Sequence, residues 1–162
     1  MRKYMFLFAA LSVALFSVSC DDDWAPKSAR DSFKSQYPNA IDVEWDTKHG
    51  YSVAEFHIAG EWGECEAWYT KGGRWVMTEY DIRFEELPMA VQTAFKEGYG
   101  EQTPVSDVER LERNNASTIY LIETQHVYNG FLTDICLDYA EDGTLLRTSA
   151  YSDDYAYYYI PF

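Results

Sequence analysis

The sequence predicts an α+β fold of two tandem repeats, each one α-helix packed on a four-stranded antiparallel meander sheet. Three observations lead to this prediction. Short motifs recur along the chain, two segments have helical apolar spacing, and eight segments of alternating character are separated by turn residues. Such recurrence indicates that one structural unit is present more than once.

The recurring motifs define the expected domain organisation. Segment 33–37 (FKSQY) recurs as 95–99 (FKEGY), and segment 69–73 (YTKGG) recurs as 139–143 (YAEDG). The offset grows from 62 to 70 residues, which indicates loop insertions in the second copy. We therefore expect a leader, two repeats and an aromatic tail, with these boundaries: 1–19 for the signal peptide, 20–84 and 85–151 for the repeats, and 152–162 for the tail.

Each repeat is expected to begin with a helix. The first covers 23–36 and ends before Pro38, because proline disfavours helical geometry in the residue that precedes it. The second has Pro88 in its first turn, where a missing N–H costs nothing, and it ends at Gly98. An apolar stripe between these two residues predicts that the second helix packs on the sheet.

Eight strands complete the prediction. Glycine- and asparagine-containing turns mark the joins, as in 49–50, 72–73, 129–130 and 142–143, and consecutive hairpins imply a meander. The expected strands are 41–46, 51–58, 62–70, 74–80, 106–113, 117–125, 131–139 and 144–151.

Alternation along the strands assigns side chains to the two faces of the sheet. We expect these residues to meet the helices: Phe56, Ile58, Ala67, Tyr69 and Val76 in the first repeat, and Tyr120, Ile122, Ile135, Leu137 and Leu146 in the second. The opposite face is expected to contain Trp62, Glu64, Glu66, Trp68, Trp75 and Met77. Cys65 and Cys136 then fall on different faces, so a disulfide between them would require an unexpected packing of the repeats.

The N-terminal segment has the pattern of a secretory leader. Arg2 and Lys3 precede an apolar run over 4–16, which is too short to span a bilayer, and Cys20 falls where cleavage is expected. Segment 16–20 resembles a lipobox, which predicts lipidation of Cys20 and attachment to the membrane through acyl chains alone. The acidic run that follows is similar to a surface-export signal of Bacteroides lipoproteins. We expect an exported outer-membrane lipoprotein, periplasmic or at the cell surface; an ordinary secretory leader is the alternative.

Charge and motif content exclude several classes of function. The chain from residue 20 onward has 11 basic and 27 acidic residues, a net charge of −16, with no basic cluster of the kind that binds nucleic acid. This charge favours basic partners or cations, although an ordinary solvated surface is the preferred explanation for it. Known catalytic and cofactor motifs are absent from the sequence, so we expect no enzymatic activity and no cofactor.

Metal binding is not predicted either. The carboxylates considered for a hard cation lack the spacing of a calcium loop. They are Asp21, Asp22, Asp23, Asp138, Glu141, Asp142, Asp153 and Asp154. The three histidines, His49, His57 and His126, have no matched ligand or nucleophile at short spacing.

The exported leader, the paired helix-plus-strands pattern, the FKxxY helix ends and the YxxxG hairpins resemble the PepSY-like family of Bacteroides periplasmic or surface proteins. That family is similar in structure to the β-lactamase inhibitor protein, whose aromatic sheet surface grips an enzyme. The resemblance covers most of the chain after the leader and implies protein binding. It identifies no target, because a shared fold does not establish a shared function.

The leading expectation is therefore a protein-binding lipoprotein that uses the aromatic sheet face, and whether binding inhibits the partner is left open. Its partner-binding residues would be Trp62, Trp68, Trp75, Glu64, Glu66 and Met77, because exposed aromatic side chains anchor protein interfaces. A competing interpretation is that the aromatic tail covers this face. A glycan-binding surface module and a cation-responsive envelope domain are the alternative functions.

Overall fold

A computed structural model describes residues 25–128, 130–150 and 158–160. The leader and Cys20 lie outside these residues. The described part contains two α-helices, α1 (Lys27–Gln36) and α2 (Met89–Tyr99), and a 3₁₀ turn at Phe84–Glu86. It has eight strands: β1 (Ala40–Lys48), β2 (Tyr51–Ile58), β3 (Cys65–Tyr69), β4 (Trp75–Asp81), β5 (Val105–Arg113), β6 (Ala116–Tyr128), β7 (Phe131–Ala140) and β8 (Leu145–Ala150).

Both helices begin directly after a proline and bury a narrow apolar stripe. Pro26 and Pro88 occupy the N-cap positions, where the backbone changes from an extended to a helical conformation. In α1 the buried residues are Ala29 and Phe33, and in α2 they are Val91 and Phe95. Each pair is spaced by four residues, so its side chains lie above one another on the helix face that meets the sheet.

The sheet is one continuous antiparallel meander in the order β1 to β8. The predicted fold class, two tandem units with a four-stranded sheet each, is wrong on this point. Strands β4 and β5 pair along their length, from Met77 opposite Arg113 to Asp81 opposite Glu109. This pairing covers two strand edges that separate sheets would leave exposed. The boundaries 20–84 and 85–151 stay a prediction.

Two apolar layers lie on the helix side of the sheet. Phe33 of α1 packs with Phe56 and Tyr69, and Phe95 of α2 packs with a second cluster of strand residues. Tyr80 of β4 contacts both clusters, which places the two helices on the same face. The faces predicted for Phe56, Ile58, Ala67, Tyr69, Tyr120, Ile122, Ile135 and Leu137 are confirmed.

A third apolar cluster lies on the opposite face and includes a residue of the described C-terminal segment, 158–160. Leu111, Leu121 and Cys136 belong to it, and Ile160 from the described C-terminal segment is 2% exposed within it. Tyr159 packs against the same cluster. Part of this face is therefore a core closed by residues 158–160.

Two β-bulges change the faces of nearby side chains. The register between β3 and β4 shifts at Trp68 and Tyr69, which directs Val76 into the cluster away from the helices. A second shift separates β7 from β8 beside Tyr139, and Leu146 is exposed. The face predictions for Val76 and Leu146 are therefore wrong, because a bulge adds one residue and breaks the two-residue period.

Neither helix within the described residues has the length and apolar character of a membrane span.

Candidate functional site

The six residues predicted to bind a partner do not form one exposed surface. Trp68 and Met77 are 2% and 0% exposed and belong to the core that Tyr159 and Ile160 close. In this position their side chains hold the sheet and the C-terminal segment together. Around Trp68 and Met77, Tyr159 and Ile160 cover the sheet face, which is the arrangement that the competing interpretation of the aromatic tail described.

Trp75 lies on the helix side of the sheet, contrary to the face predicted for it. It packs against the α1 cluster, and its indole Nε1 donates a hydrogen bond of 2.8 Å to Thr78 Oγ1. The same bulge that redirects Val76 causes this change, because Tyr69 pairs with Trp75 and not with its neighbour.

Trp62 is the indole of the predicted set that projects into solvent. It is 53% exposed in the loop between β2 and β3, and the guanidinium carbon of Arg83 lies 5.1 Å from the centroid of its ring. An arginine at this distance from an aromatic face gains a cation–π attraction. Glu64 is exposed in the same loop, whereas Glu66 is half-buried in β3.

A cleft of about 610 Å³ opens beside Trp62. Tyr80 and Arg110 form part of its lining, with the guanidinium carbon of Arg110 4.4 Å from the centroid of the Tyr80 ring. Asp81 and Arg83 line the same space. We call this space the Trp62 cleft. The cleft is lined by two aromatic rings, each with an arginine guanidinium near its face, and by carboxylates.

The loop that carries Trp62 is held firmly at the end of the sheet. Gly63 has a φ of +92°, and a Cβ at this position would lie 2.6 Å from the carbonyl oxygen of Asp81. The Glu64 N–H donates a hydrogen bond of 3.0 Å to Asp81 Oδ2, and His57 Nδ1 lies 2.9 Å from the Gly63 carbonyl oxygen. These contacts hold the backbone of the loop that carries the exposed indole.

A band of carboxylates crosses the sheet on the face away from the helices. Successive strands place like charges directly opposite one another: Glu66 faces Glu79, Asp81 faces Glu109, and Asp107 faces Glu123. We call these six residues the acidic strip. Directly opposed like charges destabilise a sheet, so the strip carries a cost in stability.

Comparison with known proteins identifies the family. A family model described as "Putative beta-lactamase-inhibitor-like, PepSY-like" matches residues 60–147, more than half of the chain. The chain belongs to the PepSY-like family. This confirms the resemblance that the sequence motifs indicated. No curated protein matches the chain.

Solved structures of Bacteroides proteins share the fold of this PepSY-like protein. A BLIP-like protein of Bacteroides fragilis is 32% identical, with a TM-score of 0.68 over 80% of this chain and 90% of its own. A DUF2874 family protein of Bacteroides ovatus is 30% identical, with a TM-score of 0.72 over 82% and 92%. One of the "putative periplasmic proteins" of Bacteroides eggerthii is 25% identical, with a TM-score of 0.72 over 82% and 93%.

Burial raises the pKa of carboxyl groups in the acidic strip of this PepSY-like protein. Desolvation, followed by the charge of Glu66, raises the pKa of Glu79 to about 8, and the nearby Trp68 indole and Lys48 offset part of this effect. Desolvation and the charge of Glu79 raise the pKa of Glu109 well above its ordinary value. Glu79 therefore retains its proton at neutral pH.

Lys48 partly neutralises one end of the acidic strip. Its Nζ donates a 2.6 Å hydrogen bond to Glu66 Oε1 and lies 3.1 Å from Glu55 Oε1. Burial alone would lower the pKa of Lys48, but the bond to Glu66 and the charges of both glutamates raise it. Lys48 therefore stays protonated, and the carboxylates of Glu55 and Glu66 neutralise its charge.

The two described cysteines are free and buried on different faces, as the sequence predicted. Burial raises the pKa of the Cys65 thiol to about 12, and burial and the nearby Asp138 raise that of Cys136 as well. Both thiols are therefore protonated at physiological pH, and a protonated thiol is a poor nucleophile and metal ligand.

Of the carboxylates that the sequence offered for a cation, Asp138 and Asp142 have structural roles, and Glu141 is exposed. Asp138 pairs with Arg147 at 2.6 Å, and Asp142 accepts a 2.9 Å hydrogen bond from the Thr144 N–H in a turn. Asp21, Asp22, Asp23, Asp153 and Asp154 lie outside the described residues.

A different group of carboxylates comes together instead. One oxygen from each of Asp81, Asp107 and Glu109 lies within 4.8 Å of the others. The sequence contained a signal for it: acidic residues separated by one position occur in both β4 and β5, at 79 and 81 and at 107 and 109. That signal was incomplete, because it did not indicate that the two strands pair.

Proposed function

We propose that this PepSY-like protein is an exported lipoprotein that binds a protein partner through the Trp62 cleft. One observation carries the proposal: a half-exposed indole, stacked on Arg83, projects at the mouth of a cleft that also contains Tyr80 and Arg110. Tryptophan, tyrosine and arginine are the residues that contribute most often to binding energy at protein interfaces. No catalytic role is proposed.

The rigidity of the loop supports this proposal. Contacts of Gly63 and Glu64 with Asp81 hold the indole in place before a partner arrives. Less conformational entropy is then lost on association, which favours affinity. Of the residues predicted from sequence, Trp62, Glu64 and Glu66 remain available to a partner, while Trp68, Trp75 and Met77 shape the sheet beneath.

Charge favours a basic partner. The chain has a formal net charge of −14, and the acidic strip adjoins the cleft through Asp81. Complementary charge accelerates association and excludes acidic competitors. The description of the B. fragilis relative as BLIP-like supports a protein as the ligand, and inhibition follows if the bound surface includes an active site. A glycan is less favoured, because Trp68 and Trp75 do not join Trp62 in an exposed row of rings.

Substitution of Trp62 by alanine is expected to weaken partner binding at least about tenfold, since an interface tryptophan typically contributes about 2 kcal/mol or more. The mature domain would first recover its partner from envelope and host proteins, and calorimetry with the purified partner would then give the affinities. Met89→Ala is the matched control, because Met89 is an equally apolar side chain, 74% exposed on α2. Equal affinity of the Trp62→Ala variant and the unaltered protein would refute the proposed surface, as would selective binding of a purified polysaccharide.

The export proposal has its own test. We expect Cys20→Ala to release the protein from the membrane fraction and to abolish metabolic labelling with palmitate, because the acyl chains on Cys20 would be the attachment to the bilayer. The periplasmic description of the B. eggerthii relative supports export. A Ser19→Ala variant, which keeps the cysteine, serves as the control. Unchanged fractionation and labelling of Cys20→Ala would contradict lipidation.

A further inference from the structure

We propose that Asp81, Asp107 and Glu109 bind a calcium ion at the junction of β4 and β5. Asp81 and Glu109 face each other across this strand pair, and Asp107 lies two residues before Glu109 on the same side of the sheet. One carboxylate oxygen from each residue lies within 4.8 Å of the others. Three oxygens from two rigid strands thus converge on one point.

A buried oxygen next to this group supplies independent support. Glu79 Oε1 has no solvent contact and no hydrogen-bond partner within the described part of the chain. Glu79 precedes Asp81 by two residues on β4, so its side chain projects from the same face and lies diagonally across from Glu109. A buried carboxyl oxygen without a partner is costly, and a nearby cation would compensate for it.

The geometry and the donor types favour calcium over other metals. Every donor is a carboxylate oxygen, which hard cations prefer, whereas zinc sites use histidine and cysteine. Calcium binds oxygen at roughly 2.4 Å, so ligands on opposite sides of the ion lie about 4.8 Å apart, while magnesium requires roughly 2.1 Å and a tighter octahedron. The three oxygens lie within 4.8 Å of one another, close enough to bind one ion, and calcium accepts the irregular geometry that ligands on fixed strands impose. Water would complete its coordination, because the three residues are only partly buried.

Calcium at this point would stabilise two parts of the molecule together. It would join β4 to β5 through Asp81 and Glu109, and its charge would allow these directly opposed carboxyl groups to be ionised together. Asp81 Oδ2 also accepts the hydrogen bond from the Glu64 N–H that holds the Trp62 loop. The ion would thereby restrict the same carboxylate that positions the exposed indole.

Calorimetric titration of the chelator-treated mature protein with calcium chloride tests the inference directly. We expect one calcium ion per chain with a dissociation constant of about 0.1 to 1 mM, as for other extracellular calcium modules, and a higher unfolding temperature. Asp107→Asn and Glu109→Gln are each expected to weaken binding at least about tenfold, because each removes a charged ligand. Glu97→Gln, which removes one exposed charge from α2, is the matched control and should bind calcium normally.

Several outcomes would overturn the site. One is the absence of calcium-dependent heat at about 10 mM calcium chloride, far above the expected dissociation constant. Another is an equal effect of sodium chloride at the same ionic strength, and a third is equal calcium binding by all three variants. Circular dichroism would verify that each variant is folded. If one is not, terbium luminescence excited through tryptophan in the unaltered protein, and its loss on adding calcium, gives a second measurement. The titration contains no partner protein, so a negative result would not affect the proposal that the Trp62 cleft binds a partner. A positive result would likewise not depend on that proposal.

Discussion

Replacement of Arg147 by methionine is expected to lower the free energy of unfolding by about 3 to 5 kcal/mol, the usual cost of removing one member of a buried ion pair. The Asp138 side chain is 0% exposed, and Arg147 Nε lies 2.6 Å from its Oδ2. The Tyr159 hydroxyl donates a hydrogen bond to the same oxygen. Without the guanidinium, a carboxylate would remain in the core with the Tyr159 hydroxyl and the Cys136 thiol as neutral donors, and chemical denaturation would measure the loss.

Two further variants separate this effect from the loss of a long side chain. The double variant Asp138→Leu with Arg147→Met is expected to recover most of the stability, because no charge stays buried. Arg74→Met, the same change at an exposed position, should alter the free energy of unfolding by less than about 0.5 kcal/mol. A double variant as unstable as Arg147→Met alone would show that the buried charge is not the cause.

The Asp138 pair also explains how the C-terminal segment reaches the sheet. The guanidinium carbons of Arg113 and Arg147 each lie 5.2 Å from the centroid of the Tyr159 ring, so both cations are within cation–π distance of the ring whose hydroxyl donates to Asp138. Ile160 then enters the apolar cluster beside Leu111 and Trp68. Loss of Arg147 should therefore expose part of this core to solvent.

Local features of the fold were predictable from the sequence because they depend on neighbouring residues. The observed ends of all eight strands lie within three residues of the predicted ends, because turn glycines and the alternation of side chains mark them. Both helices begin after Pro26 and Pro88, and the second had been placed by its proline. Trp62 had been placed at the start of the third strand, whereas it lies in the loop before that strand, beside two glycines at 60 and 63, and is exposed there.

Features that depend on long-range pairing or on a bulge were not predictable. The 23 residues from 82 to 104 separate β4 from β5, and no pattern in them indicates that the strands pair into one sheet. The calcium candidate was missed for the same reason, because Asp81 and Glu109 meet only through that pairing. Trp75 changed face because one extra residue in β4 shifts the alternation, and a bulge has no reliable sequence signature.

Substitution of Gly73 by alanine is expected to cost about 3 kcal/mol and to loosen α1. Gly73 has a φ of +83°, which an L-residue adopts at a cost of roughly 1 to 2 kcal/mol. A Cβ would also lie 2.5 Å from the carbonyl oxygen of Ser28 in the first turn of α1, and overpacking of this kind adds roughly 1 to 3 kcal/mol. The helix would have to move, and Phe33 would lose contacts in its cluster.

Gly50 provides the control that separates backbone strain from steric contact. Its φ is +85°, close to that of Gly73, but a Cβ there would meet nothing within 4 Å. Gly50→Ala should therefore cost only the strain, about 1 kcal/mol, as measured by urea denaturation. Gly143→Ala is expected to behave like Gly73→Ala, because its Cβ would lie 2.6 Å from the Ala90 carbonyl oxygen in α2. Equal stabilities of Gly50→Ala and Gly73→Ala would mean that the turn does not fix the helix, and packing of the apolar stripes alone would then have to position α1 and α2.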